Sequence, residues 1–171
     1  MNEGRHFEIE RKYLIRYPDI RVLKAQKGVE QWEIVQIYLT VAGPGETRRI
    51  RQVVSNGEIK YYKTFKRHLS DLTNVEEEGE IDQLEYIRLS KEVQPGCKPL
   101  GKTRYRIPYE GHVLEFDIYP FWQDRAIMEI ELESEDEGAA IPDYVRIIRD
   151  VSDDPAYKNR QLAENVVYEK I

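Results

Sequence analysis

Polar and apolar residues alternate along much of this chain, with the period of a β-strand. In "HFEIERKYLI" (6–15), Glu8, Glu10 and Lys12 fall on one face, and Phe7, Ile9 and Tyr13 on the other with Arg11 among them. Successive strand side chains point to opposite sides, so this is one charged face and one mostly apolar face. Comparable runs at 35–42, 46–54, 58–66, 75–81, 102–109, 112–119 and 125–133 bring the predicted strands to eight. Ser55-Asn56-Gly57 lies between two such runs and predicts a tight hairpin, because Asn-Gly tolerates positive φ. Glu110-Gly111 predicts another. Three regions carry helical signals instead. One is 18–30, opened by Pro18-Asp19. The second is 82–93, where Asp82 can cap and Glu85 follows three residues later. The last third of the chain predicts two helices, 141–151 and 153–166, the latter with Pro155 suited to the first helical position. Strands in hairpin succession with helices inserted and appended predict an α+β fold, mainly antiparallel β, whose sheet curls or closes.

The charges change that picture. Arg49 and Arg51 share a face, as do Glu76, Glu78 and Glu80; Lys102, Arg104 and Arg106; Glu115 and Asp117; and Glu129, Glu131 and Glu133. Any one of these is how a solvent-facing strand looks. As a set they are unusual, since acids gather on some strands and bases on others. Like charges two residues apart sit roughly 6.5–7 Å from each other and repel unless something neutralises them. The pattern therefore predicts an inverted barrel, with the charged faces lining a channel and the apolar faces outward beneath helices. A triphosphate suits such a channel, because Arg and Lys match its oxygens. Glu8, Glu10, Asp117, Glu129 and Glu131 suit Mg²⁺ or Mn²⁺, hard ions that take oxygen ligands.

Composition narrows the class. The chain has 171 residues, 40% hydrophobic and 34% charged, which fits a single globular domain over 1–171. A net charge of −6 weighs against nucleic acid as a partner. No apolar run approaches the ~20 residues that span a bilayer, and the polar "MNEGRH" start is unlike a secretory signal. A cytoplasmic protein without a membrane partner is expected. Cys97 is the sole cysteine, so no intramolecular disulfide or all-Cys zinc site forms, and a spectator thiol is expected. His6, His68 and His112 are scattered without zinc spacing. No P-loop is present, and "GPGETRR" reads as a turn.

With Glu8-x-Glu10-x-Lys12 at its start, the chain resembles the CYTH superfamily, the triphosphate tunnel metalloenzymes. The resemblance continues through "QIYL" (36–39), "RRIR" (48–51), "KTFK" (63–66), "EEEGEI" (76–81), "KTRYRI" (102–107), "EFDIY" (115–119), "EIELE" (129–133) and "RDVSDDPAYKNRQLA" (149–163). It implies an eight-stranded closed tunnel with a charged interior, helices outside and at the C-terminus. It implies that Lys12, Arg49, Arg51, Lys66 and Arg104 clamp phosphate, with Lys102 and Arg106 helping. Glu8, Glu10, Asp117, Glu129 and Glu131 would face metal, with Glu76 and Glu78 as further acidic candidates. Tyr38 and Lys102 would position the attacking water. One departure is Asn74, where the family often carries a basic residue. A metal-dependent hydrolase of inorganic or small organic triphosphate is the leading expectation. A class IV-type adenylyl cyclase and a polyphosphate- or nucleotide-binding module without turnover are the alternatives. Apolar outer faces leave room for a homodimer.

Overall fold

The computed structural model describes residues 4–171, with side chains from Phe7 onward. The polar start of the sequence at 1–3 and the side chain of His6 lie outside the described residues. The backbone builds one nine-stranded sheet. Its strands are β1 (Gly4–Arg16), β2 (Glu30–Leu39), β3 (Glu46–Ser55), β4 (Glu58–His68), β5 (Thr73–Ile81), β6 (Leu100–Tyr109), β7 (His112–Ile118), β8 (Arg125–Glu131) and β9 (Ile147–Asp150). The spatial order is β5-β4-β3-β2-β6-β7-β8-β1-β9, and β5 also pairs with β1. That last pairing closes eight antiparallel strands into a barrel, which removes the exposed sheet edges.

Strand β1 makes the closure. Its first half, through Ile9, pairs with β5, and its second half, Glu10–Arg16, pairs with β8. Beyond β5 the free edge of β1 is taken by β9, where Tyr13 lies opposite Asp150 and Leu14 opposite Arg149. The two predicted hairpins form, with Asn56 at φ 52 and Gly57 at φ 75, and Glu110 at φ 47 and Gly111 at φ 81. Both central residues of each turn are left-handed, the geometry whose twist matches the flanking strands.

The helical expectations hold in part. The 82–93 segment forms α2 (Gln83–Leu89), and the Asp82 carboxylate accepts from the Glu85 amide at 2.8 Å. The 18–30 segment yields only α1 (Ile20–Lys24), capped by Asp19. Gly28 at φ 76 turns the chain back, and β2 begins at Glu30 rather than 35. The helix expected over 141–151 is absent. Its β-branched Ile147 and Ile148 open β9 instead, which pairs with the edge of β1. The helix expected over 153–166 breaks into a 3₁₀ turn at Pro155–Tyr157 and the short α3 (Asn159–Leu162). Pro155 does follow an Asp154 cap, whose carboxylate accepts from the Ala156 amide.

Apolar packing divides between the two sides of the barrel wall. Outside, Ile15, Leu23, Tyr105, Ile107, Phe116, Met128 and Ile130 pack with α1 and the 139–145 segment. Leu39, Ile50 and Leu89 pack beneath α2. Inside, at the end where β1 finishes, Leu14, Tyr38, Leu100, Tyr119 and Ile127 meet Val151, Tyr157 and Leu162 of the C-terminal segment. Among the described residues no helix is long and apolar enough to cross a membrane.

Candidate functional site

Strand register fixes which side chains face the interior, because directly paired residues project to the same side of a sheet. Tyr38 lies opposite Arg49, Arg49 opposite Thr64, and Thr64 opposite Glu78. Lys66 lies opposite Glu76. On the far wall Lys12 is opposite Glu129, Glu129 opposite Glu115, and Arg104 opposite Asp117. The charged positions of the sequence are therefore the inward ones, and the barrel is inverted.

The interior charges sort into three groups. Lys66 Nζ lies 2.8 Å from Glu8 Oε1 and 3.3 Å from Glu76 Oε2. Arg51 reaches Glu78 at 3.0 Å, and the Thr64 hydroxyl donates to the same oxygen at 2.7 Å. Asp117, fully buried, is held by Lys102 at 2.7 Å and by the Arg104 guanidinium at 2.7 and 2.9 Å. Arg104 also reaches Glu115 at 3.2 Å and Glu129 at 3.4 Å. Lys12 Nζ stands 3.4 Å from Glu129 Oε1, and the Lys12 amide donates to Ser152 Oγ at 2.9 Å.

Two interior side chains make no direct hydrogen bond or ion pair among the described residues. The Glu10 carboxyl is attracted by Lys66 and Lys12 without touching either, and Arg49 Nε is buried without an acceptor, as is Arg51 Nε. Burial raises the Glu10 carboxyl well above its usual range, and the neighbouring Glu129 and Glu8 carboxylates add to this. Burial works against the Glu8 carboxylate too, yet Lys66 and a hydrogen bond with Glu76 bring it down to about 2. Its neighbour Glu76 is pushed up to about 7 by burial and by that same contact with Glu8. Burial, with Arg104 alongside, pushes the Lys102 ammonium down to about 8 against the pull of Asp117.

A cavity of about 370 Å³ opens on this interior between β3–β5, β1 and the C-terminal segment. Glu10, Lys12, Tyr38, Arg49, Lys66 and Lys158 are among its lining residues. Other nominated residues sit elsewhere. Glu131 is exposed. Arg106 is half-buried, 3.0 Å from Glu115 and 3.5 Å from Glu30, with its guanidinium 4.6 Å from the Trp32 ring centroid. Tyr38 and Lys102 do not bond to each other. The Tyr38 hydroxyl accepts from Gln36 at 2.8 Å, whereas Lys102 turns to Asp117 and, at 3.4 Å, to Asn159. Asn159, Tyr119, Thr64 and Gln36 were not nominated. Thr64 and Gln36 stand at inward-parity positions, a signal available in the alternation.

As the side chains stand, no group of three or more His, Cys, Asp or Glu among the described residues is arranged to hold a metal ion. The acids are engaged by bases: Lys66 holds Glu8, Lys12 holds Glu129, and Arg104 with Lys102 holds Asp117.

No family model matches the sequence, and no curated protein matches it. Solved structures do. The inorganic triphosphatase NE1496 is 27% identical, with 93% of this chain and 95% of that one covered at a TM-score of 0.56. The PH1819 protein of Pyrococcus horikoshii is 21% identical over 75% of this chain and 80% of its own, with a TM-score of 0.59. An adenylate cyclase-like protein of Bacillus halodurans is 18% identical over 77% and 83%, with a TM-score of 0.51. These neighbours share the fold of this chain, a closed barrel of eight antiparallel strands, as the resemblance to the CYTH superfamily implies.

Proposed function

We propose that this chain is a divalent-metal-dependent phosphohydrolase that holds inorganic triphosphate, or a small organic triphosphate, inside its barrel. The observation that carries the reading is the interior itself, where the Arg49 guanidinium and the Glu10 carboxyl face the same cavity with no side chain in direct contact with either. The Arg49 Nε donor, buried without an acceptor, stays unsatisfied until an anion arrives. A carboxyl crowded by Glu8 and Glu129 is costly to ionise until a cation arrives. A triphosphate with a bound metal relieves both. The likeness to an inorganic triphosphatase at 27% identity over nearly the whole of both chains supports the same substrate class.

The donor set fits Mg²⁺ or Mn²⁺, since carboxylate oxygens are the ligands hard cations take. Glu8, Glu10 and Glu129 would hold the ion once phosphate draws Lys66 and Lys12 away from them. When bound, the ion supplies charge neutralisation at the phosphate oxygens. The chain's own groups do the rest. Lys12, Arg49, Arg51 and Lys66 donate to non-bridging oxygens and fix the phosphate chain in one register. Phosphoryl transfer is largely dissociative, so charge grows on the leaving phosphate, and cations already in place meet it without reorganising. Glu76, pushed up to about 7, can exchange a proton near neutral pH.

Incubation of the purified protein with Mg²⁺ or Mn²⁺ and tripolyphosphate, ATP or thiamine triphosphate tests this. Phosphate release that stops on chelation is the expected result. Cyclic AMP with pyrophosphate from ATP overturns the hydrolase reading in favour of a cyclase, and binding without any product leaves a binding module.

A further inference from the structure

The C-terminal segment contributes a side chain to this site. Asn159 opens α3, follows the extended Lys158, and lines the interior cavity. Its Oδ1 accepts from the Tyr119 hydroxyl and, at 3.4 Å, from Lys102 Nζ. An ammonium is a donor with no lone pair to offer, so it fixes which end of the carboxamide faces it. The oxygen must point at Lys102, and the NH₂ group points away. That NH₂ makes no hydrogen bond among the described residues, and it is not sealed from the cavity.

We propose that Asn159 works on both sides of this arrangement, resting on the triphosphatase reading above. Its oxygen, with Asp117, holds Lys102 in one position, and its NH₂ donates to an oxygen of the bound phosphate chain. A purely structural Asn159 would only pin the segment to Tyr119. Two features favour more. Asn159 shares its oxygen with the buried Lys102–Asp117 pair behind the cavity wall, and its two free donors stand on a cavity lined by Lys12, Arg49 and Lys66. The segment therefore adds neutral donors to a wall of charged ones, which orients phosphate without adding net charge.

Three variants separate the roles. Asn159→Asp keeps an acceptor for Lys102 and Tyr119 but removes the donors and places a negative charge toward phosphate. Asn159→Ala removes both. Tyr119→Phe removes one partner of the oxygen only. Asn165→Ala, at an exposed position on the same segment, is the control. With tripolyphosphate and Mg²⁺, Asn159→Asp is expected to raise KM at least tenfold while keeping kcat within about threefold. Asn159→Ala is expected to raise KM and lower kcat at least tenfold, because Lys102 loses an acceptor that holds it in position and the phosphate loses two donors. Calorimetric titration with tripolyphosphate in chelator reads the donor role without turnover, as a Kd at least tenfold weaker for both variants. Equal KM, kcat and Kd for Asn159→Asp, Asn159→Ala and wild type, all with unchanged thermal unfolding, overturn the proposal and leave the triphosphatase reading standing. A wild type that binds tripolyphosphate without hydrolysing it removes the triphosphatase reading, and the Kd comparison still decides the donor role. A wild type that neither binds nor hydrolyses it overturns both.

Discussion

The Lys102 ammonium stands 2.7 Å from the Asp117 carboxylate, and their side chains are 1% and 0% exposed. Arg104 closes on the same carboxylate from the other side through two nitrogens. Asp117 thus compensates two buried cations at once. Asp117→Asn keeps the shape and removes the charge, which leaves the buried Lys102 without a carboxylate and Arg104 with only Glu115 and Glu129. Loss of one member of a buried ionic group costs about 3–5 kcal/mol. The denaturant midpoint should fall accordingly with an unchanged slope, and adding Lys102→Met to that variant should restore part of the loss. An Asp117→Asn protein as stable as wild type would mean that the group is not closed off from water.

Glu10 should destabilise the metal-free protein in a pH-dependent way. Its carboxyl is raised in the fold above the ordinary 4.5 by burial, Glu129 and Glu8. Below the unfolded value both states hold the proton and the residue is neutral to stability. As pH rises past it, the unfolded chain releases a proton that the fold retains, so stability falls until the folded value is passed. Glu10→Gln removes this dependence. In chelator, wild type and variant should unfold together near about pH 4, and the variant should unfold at higher temperature near about pH 8. Mg²⁺ or Mn²⁺ should raise the wild-type midpoint and leave that of the variant in place.

Leu14 marks where the interior changes character. It points inward like Lys12 two residues earlier, yet it is fully buried against Tyr119, Ile127 and Tyr157. Leu14→Ala opens a void where strands and C-terminal segment meet, at a cost of about 2–5 kcal/mol. Thermal unfolding should report about 2–4 °C per kcal/mol for a chain of this length. Because the cavity is lined by other residues, the protein that remains folded should keep its KM.

How much of this was legible in the chain depends on the range of the interaction. Glu8, Glu10 and Lys12 announced an inward charged face because a strand's alternation is local, and the same holds for Arg49, Arg51 and Lys66. The eight barrel strands followed from the same period. The ninth did not, because Ile147–Asp150 is a strand only through the vacant edge of β1, more than a hundred residues away in sequence. The helix expected over 153–166 does not form as one element for a similar reason. Its Asp154-Pro155 start is genuine, but Tyr157 and Leu162 are drawn into the barrel mouth and the chain bends to deliver them. Parity along a strand placed Lys102 inside and the family resemblance singled out Tyr38; their partners, Asp117 with Asn159 for one and Gln36 for the other, came from rotamers that neither fixes.

Arg49 and Arg51 sit two residues apart on one strand and should answer to mutation differently. Arg51 holds Glu78 at 3.0 Å, so Arg51→Ala strips a part-buried carboxylate of its cation and should lower both stability and substrate affinity. Arg49 has no ion pair to lose among the described residues, and its Nε is buried without an acceptor. The nearby Glu78, Glu76 and Glu8 carboxylates more than offset its burial, so Arg49→Ala should lower the unfolding temperature, but less than Arg51→Ala, which also breaks a direct ion pair. The same change removes a charge-assisted hydrogen bond to phosphate, about 1.5–3 kcal/mol, or about 10–100-fold in affinity. Calorimetric titration with tripolyphosphate beside a thermal melt separates the two arginines. A pair of variants with matching losses in both measurements would place Arg49 among the structural cations, and the phosphate chain would then have to lie along the wall formed by Lys12, Lys66 and Arg104.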